Sequence, residues 1–173
     1  MTVRAPSFRL AAFAVLAAAS VALSGCGFAP LYAQPGVVSH LASIDVVAPE
    51  GRAGFLMRRS LDDAFAKNSG APATYRMNLQ LAEARYPRGI RIDNVATRYE
   101  YVLTANYSLS SLPSGALAKR GVVRVELTYD SADQPYASIA AQQDAEDRGA
   151  EEVARRIQLE LAAWMAIDRK SVV

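Results

Sequence analysis

The sequence has little of the chemistry that catalytic and metal sites require. Its 173 residues include one cysteine, Cys26, and one histidine, His40. A single cysteine excludes an intrachain disulfide, a cysteine-based zinc site and a CxxC redox pair. His40 falls in a stretch typical of a tether, and no GxxxxGK[ST] or GxGxxG motif occurs. The sequence therefore predicts no metal, no cofactor and no enzymatic activity.

A two-carboxylate hydrolase is the enzymatic alternative, because any chain with 17 acidic residues permits one by count. Six of the 17 lie on the last predicted helix, where a solvated face explains them. They also concentrate toward the N-terminal half of that helix, where they complement the helix dipole.

The chain also lacks an excess of charge once its first 25 residues are set aside. These residues contain 17 apolar positions, no acidic residue, and the two basic residues Arg4 and Arg9. Two of the 19 basic residues and none of the 17 acidic ones lie there, so the remainder carries 17 of each sign. A formally neutral chain is a poor general binder of nucleic acid.

The first 25 residues have the layout of a secretory signal peptide. Arg4 and Arg9 precede an apolar run of 14 residues, Leu10–Leu23, which only Ser20 interrupts. A retained transmembrane helix is the alternative, but the run is shorter than the roughly 20 residues that span a bilayer. The sequence predicts that residues 1–25 are removed.

The segment Leu23-Ser-Gly-Cys26 resembles a bacterial lipobox, in which the cysteine is lipidated and becomes the first mature residue. Several acyl chains on one residue anchor a protein firmly, whereas a single chain anchors it marginally. The alternative is a stray cysteine beside an ordinary cleavage site. Residue 27 is Gly rather than Asp, which favours the outer membrane over retention in the inner one. Cys26 is thus the predicted lipidation site, on the periplasmic side of the outer membrane.

The mature chain is predicted to consist of a lipidated tether over 26–42 and a single domain over 43–173. Alternating apolar and polar residues predict strands, and apolar stripes at helical spacing predict two helices. The predicted fold is an α+β two-layer sandwich of order β-α-β-β-β-α, with a mostly antiparallel four-stranded sheet and two helices on one face. The predicted elements are strands over 43–48, 75–81, 98–110 and 119–130, and helices over 52–68 and about 138–166.

Basic residues concentrate at two places along the predicted sheet. Arg91 and Arg98 lie in or beside a predicted loop, Ala84–Thr97, while the others lie near the start of the fourth strand: Lys119, Arg120 and Arg124. Guanidinium groups bind phosphate bidentately, and a protein at the outer membrane would meet phosphorylated glycolipid. The two groups form one patch if the loop folds back along the sheet, and two patches otherwise. Solubilising charge is the alternative interpretation of each residue.

Four short stretches of the mature chain carry a family resemblance: Cys26-Gly-Phe-Ala-Pro-Leu-Tyr32, Ala96-Thr-Arg98 before a Tyr-rich strand, Pro135-Tyr-Ala137, and Ala154-Arg-Arg-Ile157. With these stretches the sequence resembles the LptE family of lipopolysaccharide (LPS)-assembly lipoproteins. The resemblance covers essentially the whole mature chain.

This resemblance implies a non-enzymatic plug inside the β-barrel protein LptD that assists barrel assembly and binds LPS. A polar sheet face suits the polar lumen of a large barrel. The LPS contacts are hypothesised at Arg91, Arg98, Lys119, Arg120 and Arg124. The rival hypothesis is another lipid-anchored periplasmic module, such as an auxiliary subunit of a lipid-transport ABC system.

Overall fold

The structure is a computed structural model that describes residues 36–67, 70, 72–93, 95–131 and 134–168. The predicted signal peptide and Cys26 lie outside these residues. The described elements are α1 (Val37–Ala42), β1 (Ile44–Val47), α2 (Arg52–Ala64), β2 (Tyr75–Ile90), β3 (Ala96–Ser111), β4 (Leu117–Asp130) and α3 (Pro135–Asp168).

The four strands form one sheet in the order β1-β2-β3-β4. The short strand β1 pairs in parallel with the start of β2, and the other two pairs are antiparallel. A parallel pair needs a crossover connection, which α2 supplies. The predicted α+β fold with a mostly antiparallel sheet is confirmed.

The hydrophobic core lies between the helices and one face of the sheet. Strand residues that alternate along the chain, such as Met77 and Leu103, meet helical residues such as Leu61 and Ile157. All four side chains are fully buried. The period of two in the strands and the helical spacing in α2 and α3 therefore converge on one apolar layer.

The prediction of a loop over Ala84–Thr97 was wrong. Strand β2 continues to Ile90 and pairs with β3 almost to the turn, which leaves only residues 91–95 between the strands. The segment contains Pro87 and Gly89, residue types that are typical of loops. However, β1 covers β2 only up to Asn78, so Pro87 lies on an open edge where a missing N–H is tolerated.

Helix α1 lies inside the segment expected to be a tether. Its Val37 and Leu41 are 1% and 2% exposed and belong to the core. His40, which was placed in the tether, also lies in this helix. The sequence interpretation contained no helix here, because a six-residue segment is too short to show a helical stripe.

Candidate functional site

The sheet has one face that the described helices leave uncovered, here called the outer face. Its side chains come from the strand positions that alternate with the core. On β2 they are Arg76, Asn78, Gln80, Ala82, Ala84, Tyr86, Arg88 and Ile90; on β3 they are Arg98, Glu100, Val102, Thr104, Asn106, Ser108 and Ser110; on β4 they are Arg120, Val122, Arg124, Glu126, Thr128 and Asp130. The outer-face residues of β2 and β4 are mostly exposed, and those of the central strand β3 are mostly half-buried. The result is an open polar surface of hydroxyls, carboxamides and charges.

Most arginines of the outer face are neutralised by a neighbouring carboxylate. Arg98 and Asp130 are cross-strand neighbours, and Arg98 Nε lies 2.8 Å from Asp130 Oδ1. Along β4, Arg124 Nη2 lies 2.8 Å from Glu126 Oε1. Two further pairs are Arg88 with Glu100 at 2.9 Å and Arg76 with Asp45 at 3.5 Å. These exposed pairs contribute little stability, but they reduce the charge available to an anionic ligand.

The hypothesised LPS contacts form separate groups rather than one patch. Arg91 and Arg98 lie at the turn between β2 and β3, where Arg91 Nη2 is 3.4 Å from Asp93 Oδ2. Arg120 lies opposite Ser108, ten residues along β3 from Arg98, which corresponds to roughly 33 Å. Arg124 lies between the two groups. The alternative of a loop folded back over the sheet is excluded, because that segment is strand.

Lys119 lies on the opposite face of the sheet from Arg120. It pairs in register with the core residue Leu109, and its Nζ lies 3.3 Å from Glu160 Oε1 of α3. Burial, followed by the nearby Glu160 carboxylate, raises the pKa of the Tyr107 phenol in the same region. The structure therefore places Lys119 between the two layers, away from the outer-face arginines.

A depression of about 500 Å³ lies in the outer face beside Arg120. Its polar side chains come from all three long strands: Asn78 and Gln80 from β2, Asn106 and Ser108 from β3, and Arg120 from β4. In the described part of the chain, Arg120 has no ion-pair partner. Sequence reasoning named Arg120 but missed the amides, whose only signal was their place on the polar side of alternating strands.

A second polar cluster joins the helices to the sheet around Glu146. The Glu146 side chain is only 7% exposed, and its Oε2 accepts a hydrogen bond of 2.8 Å from Arg52 Nε. Its Oε1 accepts bonds from Gln142 at 2.8 Å and from Arg85 at 3.3 Å. The expectation that the acidic residues of this helix form a solvated face is therefore wrong for Glu146. Since the carboxylate is fully partnered, the cluster acts as a structural clamp.

Two absences hold for the residues that the structure describes. These ranges contain no group of three or more His, Cys, Asp or Glu side chains that could hold a metal ion. Within the same ranges, no helix combines the length and the hydropathy of a membrane-spanning segment.

Known structures share this fold. A candidate lipoprotein from Caulobacter crescentus CB15 is 51% identical, with a TM-score of 0.68 over 77% of this chain and 97% of that one. Lipoprotein B from Nitrosomonas europaea is 12% identical, with a TM-score of 0.55 over 71% and 83% of the two chains. A minor lipoprotein from Acinetobacter baumannii is 10% identical, with a TM-score of 0.50 over 69% and 88%. A comparison with curated proteins gives no match. The fold is thus one found in small bacterial lipoproteins.

The family model for LptE, described as lipopolysaccharide-assembly, matches residues 41–161. The chain belongs to the LptE family, which confirms the resemblance seen in the sequence. Members of this family are non-enzymatic lipoproteins associated with the outer membrane. The protein is therefore a lipopolysaccharide-assembly lipoprotein.

Proposed function

We propose that the protein is lipidated at Cys26, resides in the outer membrane, and acts without catalysis as a plug in an LptD-like β-barrel that delivers LPS to the cell surface. The observation that carries the proposal is the outer face. A sheet of three long strands leaves one polar side without a helical cover in the described part of the chain, while its other side is a complete core. A polar face of this kind fits the polar lumen of a large barrel.

The charge arrangement supports the same docking mode. Because the outer-face arginines are mostly paired with carboxylates of the same face, docking would bury few uncompensated charges. Exposed Tyr86 on this face adds an amphipathic contact of the kind enriched at protein interfaces.

Co-purification tests the plug proposal. Tagged protein extracted from membranes in mild detergent should bring down a large outer-membrane barrel. Tyr86→Asp on the outer face should reduce the yield of barrel at least several-fold, because it places a bare carboxylate in the contact. The matched control is Phe55→Asp, which changes an even more exposed aromatic residue of α2 on the helical layer and should leave the yield unchanged. Absence of any barrel, or equal loss in both variants, contradicts the proposal.

LPS binding is tested by reversing charge at two of the hypothesised contacts. Arg98→Glu with Arg124→Glu should weaken binding of purified LPS about tenfold or more, because each change adds a repulsive charge beside an existing carboxylate. Arg155→Glu on α3 changes the net charge equally per residue and serves as the control. Circular dichroism verifies that all variants fold. Unchanged binding in the double variant would remove both residues from the LPS contact.

A further inference from the structure

We propose that the depression lined by Asn78, Gln80, Asn106, Ser108 and Arg120 binds a phosphorylated sugar. The inference rests on the proposed LPS binding and deepens it, since it names the part of the ligand that is recognised and the side chains that recognise it. Among the five hypothesised basic contacts, it assigns the phosphate contact in this depression to Arg120.

Arg120 differs from the other arginines of the outer face in its charge balance. Arg76, Arg88, Arg98 and Arg124 each lie within 3.5 Å of a carboxylate oxygen. Arg120 is exposed, and no carboxylate of the described residues pairs with it. Its guanidinium can therefore bind an incoming phosphate through two N–H groups without first breaking an ion pair.

The lining of the depression excludes anionic side chains altogether. Besides Tyr107, Gly121 and Val122, its residues carry three carboxamides, the Ser108 hydroxyl and one guanidinium. On β4, the nearest outer-face carboxylate is Glu126, six residues from Arg120 and already paired with Arg124. A negative group in the depression thus meets one uncompensated positive charge and no opposing one.

The remaining polar groups suit the hydroxyls of a sugar ring. A sugar hydroxyl both donates and accepts hydrogen bonds, and carboxamides such as Asn78, Gln80 and Asn106 do the same with separate atoms. None of these three side chains makes a hydrogen bond to another group in the described part of the chain. Their donors and acceptors are available to a ligand that displaces surface water.

The shape of the depression fits the same ligand class. Val122 lies at the lining and is 62% exposed, which offers an apolar contact for the C–H face of a sugar ring. The volume of about 500 Å³ lies within the usual range for small-molecule sites. Gly121 contributes no side chain, and a Cβ there would lie 2.5 Å from the Tyr107 hydroxyl on the core side.

The test uses the mature chain and the deacylated, phosphate-bearing oligosaccharide of LPS. Titration followed by NMR should shift the side-chain amide signals of Asn78, Gln80 and Asn106. The Arg120→Gln variant should bind this oligosaccharide about tenfold more weakly, as expected for losing a charge-assisted hydrogen bond. The control is Arg59→Gln on α2, an exposed arginine without an ion-pair partner among the described residues, which should bind within twofold of the wild type.

Two further probes identify the anionic group. Enzymatic removal of the phosphates from the oligosaccharide should weaken binding about as much as Arg120→Gln does, and should make that variant and the wild type equivalent. Galacturonic acid, a carboxylated sugar, should bind more weakly than glucosamine 1-phosphate. If the carboxylated sugar binds better, or the dephosphorylated oligosaccharide binds equally, phosphate recognition is overturned.

The site and the proposed function fail in different ways. If intact LPS binds but the amide signals do not move and Arg120→Gln has no effect, the depression is not the site, while LPS binding stands. If neither intact LPS nor the oligosaccharide binds, both the site and the proposed LPS binding are overturned. If the barrel co-purifies in either case, the plug role is unaffected.

Discussion

At the scale of single residues, Tyr101 of β3 combines core packing with a polar contact. Tyr101 is almost completely buried, and its hydroxyl donates a hydrogen bond of 2.6 Å to Glu83 Oε1. Burial, followed by the hydrogen bond to Glu83 and its negative charge, raises the pKa of the Tyr101 phenol well above its ordinary value of 10.0. The same ring contacts Gly149, where a Cβ would lie 3.0 Å from it. The contribution of Tyr101 to stability therefore requires a neutral phenol and close packing of its ring.

Tyr101 is expected to make the fold sensitive to alkali. Since the phenol ionises near pH 10 in the unfolded chain and only at higher pH in the folded one, its contribution is complete below pH 10 and is lost as the pH rises above it. Tyr101→Phe should cost about 1 kcal/mol at pH 7 through the lost hydrogen bond. Because phenylalanine cannot ionise, the unfolding free energy of this variant should also fall less steeply above pH 10. Urea unfolding between pH 7 and 11 measures both effects.

The exposed Tyr136→Phe on α3 is the control, and its curve should follow the wild type. Burial also raises the pKa of Tyr107, so part of the alkaline decline should remain in Tyr101→Phe. A variant whose decline parallels the wild type throughout this range would show that Tyr101 is not the residue that titrates.

At the scale of secondary structure elements, the Glu146 clamp connects α3 with α2 and β2. Glu146 on α3 binds Arg52 at the start of α2 and Arg85 on β2. Arg85 lies in the part of β2 beyond Asn78, where β1 no longer covers the edge. The clamp therefore attaches the free edge of the long hairpin to the helical layer.

Glu146→Gln should lower the unfolding free energy by about 1–3 kcal/mol, because the arginines lose their buried countercharge but remain half-exposed. Amide hydrogen exchange should also rise in Arg85–Ile90 more than elsewhere in β2. The control Glu151→Gln changes an exposed carboxylate on the same helix and should alter stability by less than about 0.5 kcal/mol. Equal stability of the two variants would show that the clamp is dispensable.

At the scale of the whole molecule, α1 connects the chain that leads to the predicted anchor with the folded core. It precedes β1 at the end of the sheet where β2 begins, far from the turn between β2 and β3. Hydrogen bonds from Thr74 N to Ser43 O and between the Ser43 and Thr74 hydroxyls secure this junction at 3.0 and 2.5 Å. We propose that the folded domain begins at Gly36, and that the tether is correspondingly shorter than the predicted 26–42.

Leu41→Ala tests this boundary. It should cost about 2–5 kcal/mol, the range for truncating a buried leucine. Val38→Ala, at a half-exposed position of the same helix, should cost less than about 0.5 kcal/mol. Chemical denaturation of the mature chain measures both. If Leu41→Ala unfolds at the same denaturant concentration as the wild type, α1 belongs to the tether and the domain starts near Ser43.

The sequence correctly predicted the features of the fold that short-range interactions along the chain determine. Alternation along β3 and β4 correctly separated core from outer face, because a strand's period of two is a local property of the backbone. The same local reasoning ended β2 at Leu81, where the apolar alternation stops. Pro87, further along, is compatible with a strand only at an open edge. Whether β2 has an open edge depends on how far β1 extends, which no local pattern contains.

The properties of the candidate site likewise divide into those that local sequence determines and those that depend on tertiary contacts. The sequence by itself determined the family, the two-layer fold, and the polar character of the outer face, because each follows from residue type and short-range periodicity. Only the tertiary structure decided that Lys119 forms an ion pair with Glu160 of α3 and that Glu146 is buried. It also decided that Arg124 is neutralised while Arg120 is not. These properties depend on which side chains other elements bring within a few ångströms, and electrostatic interactions in solution are strong only over such distances.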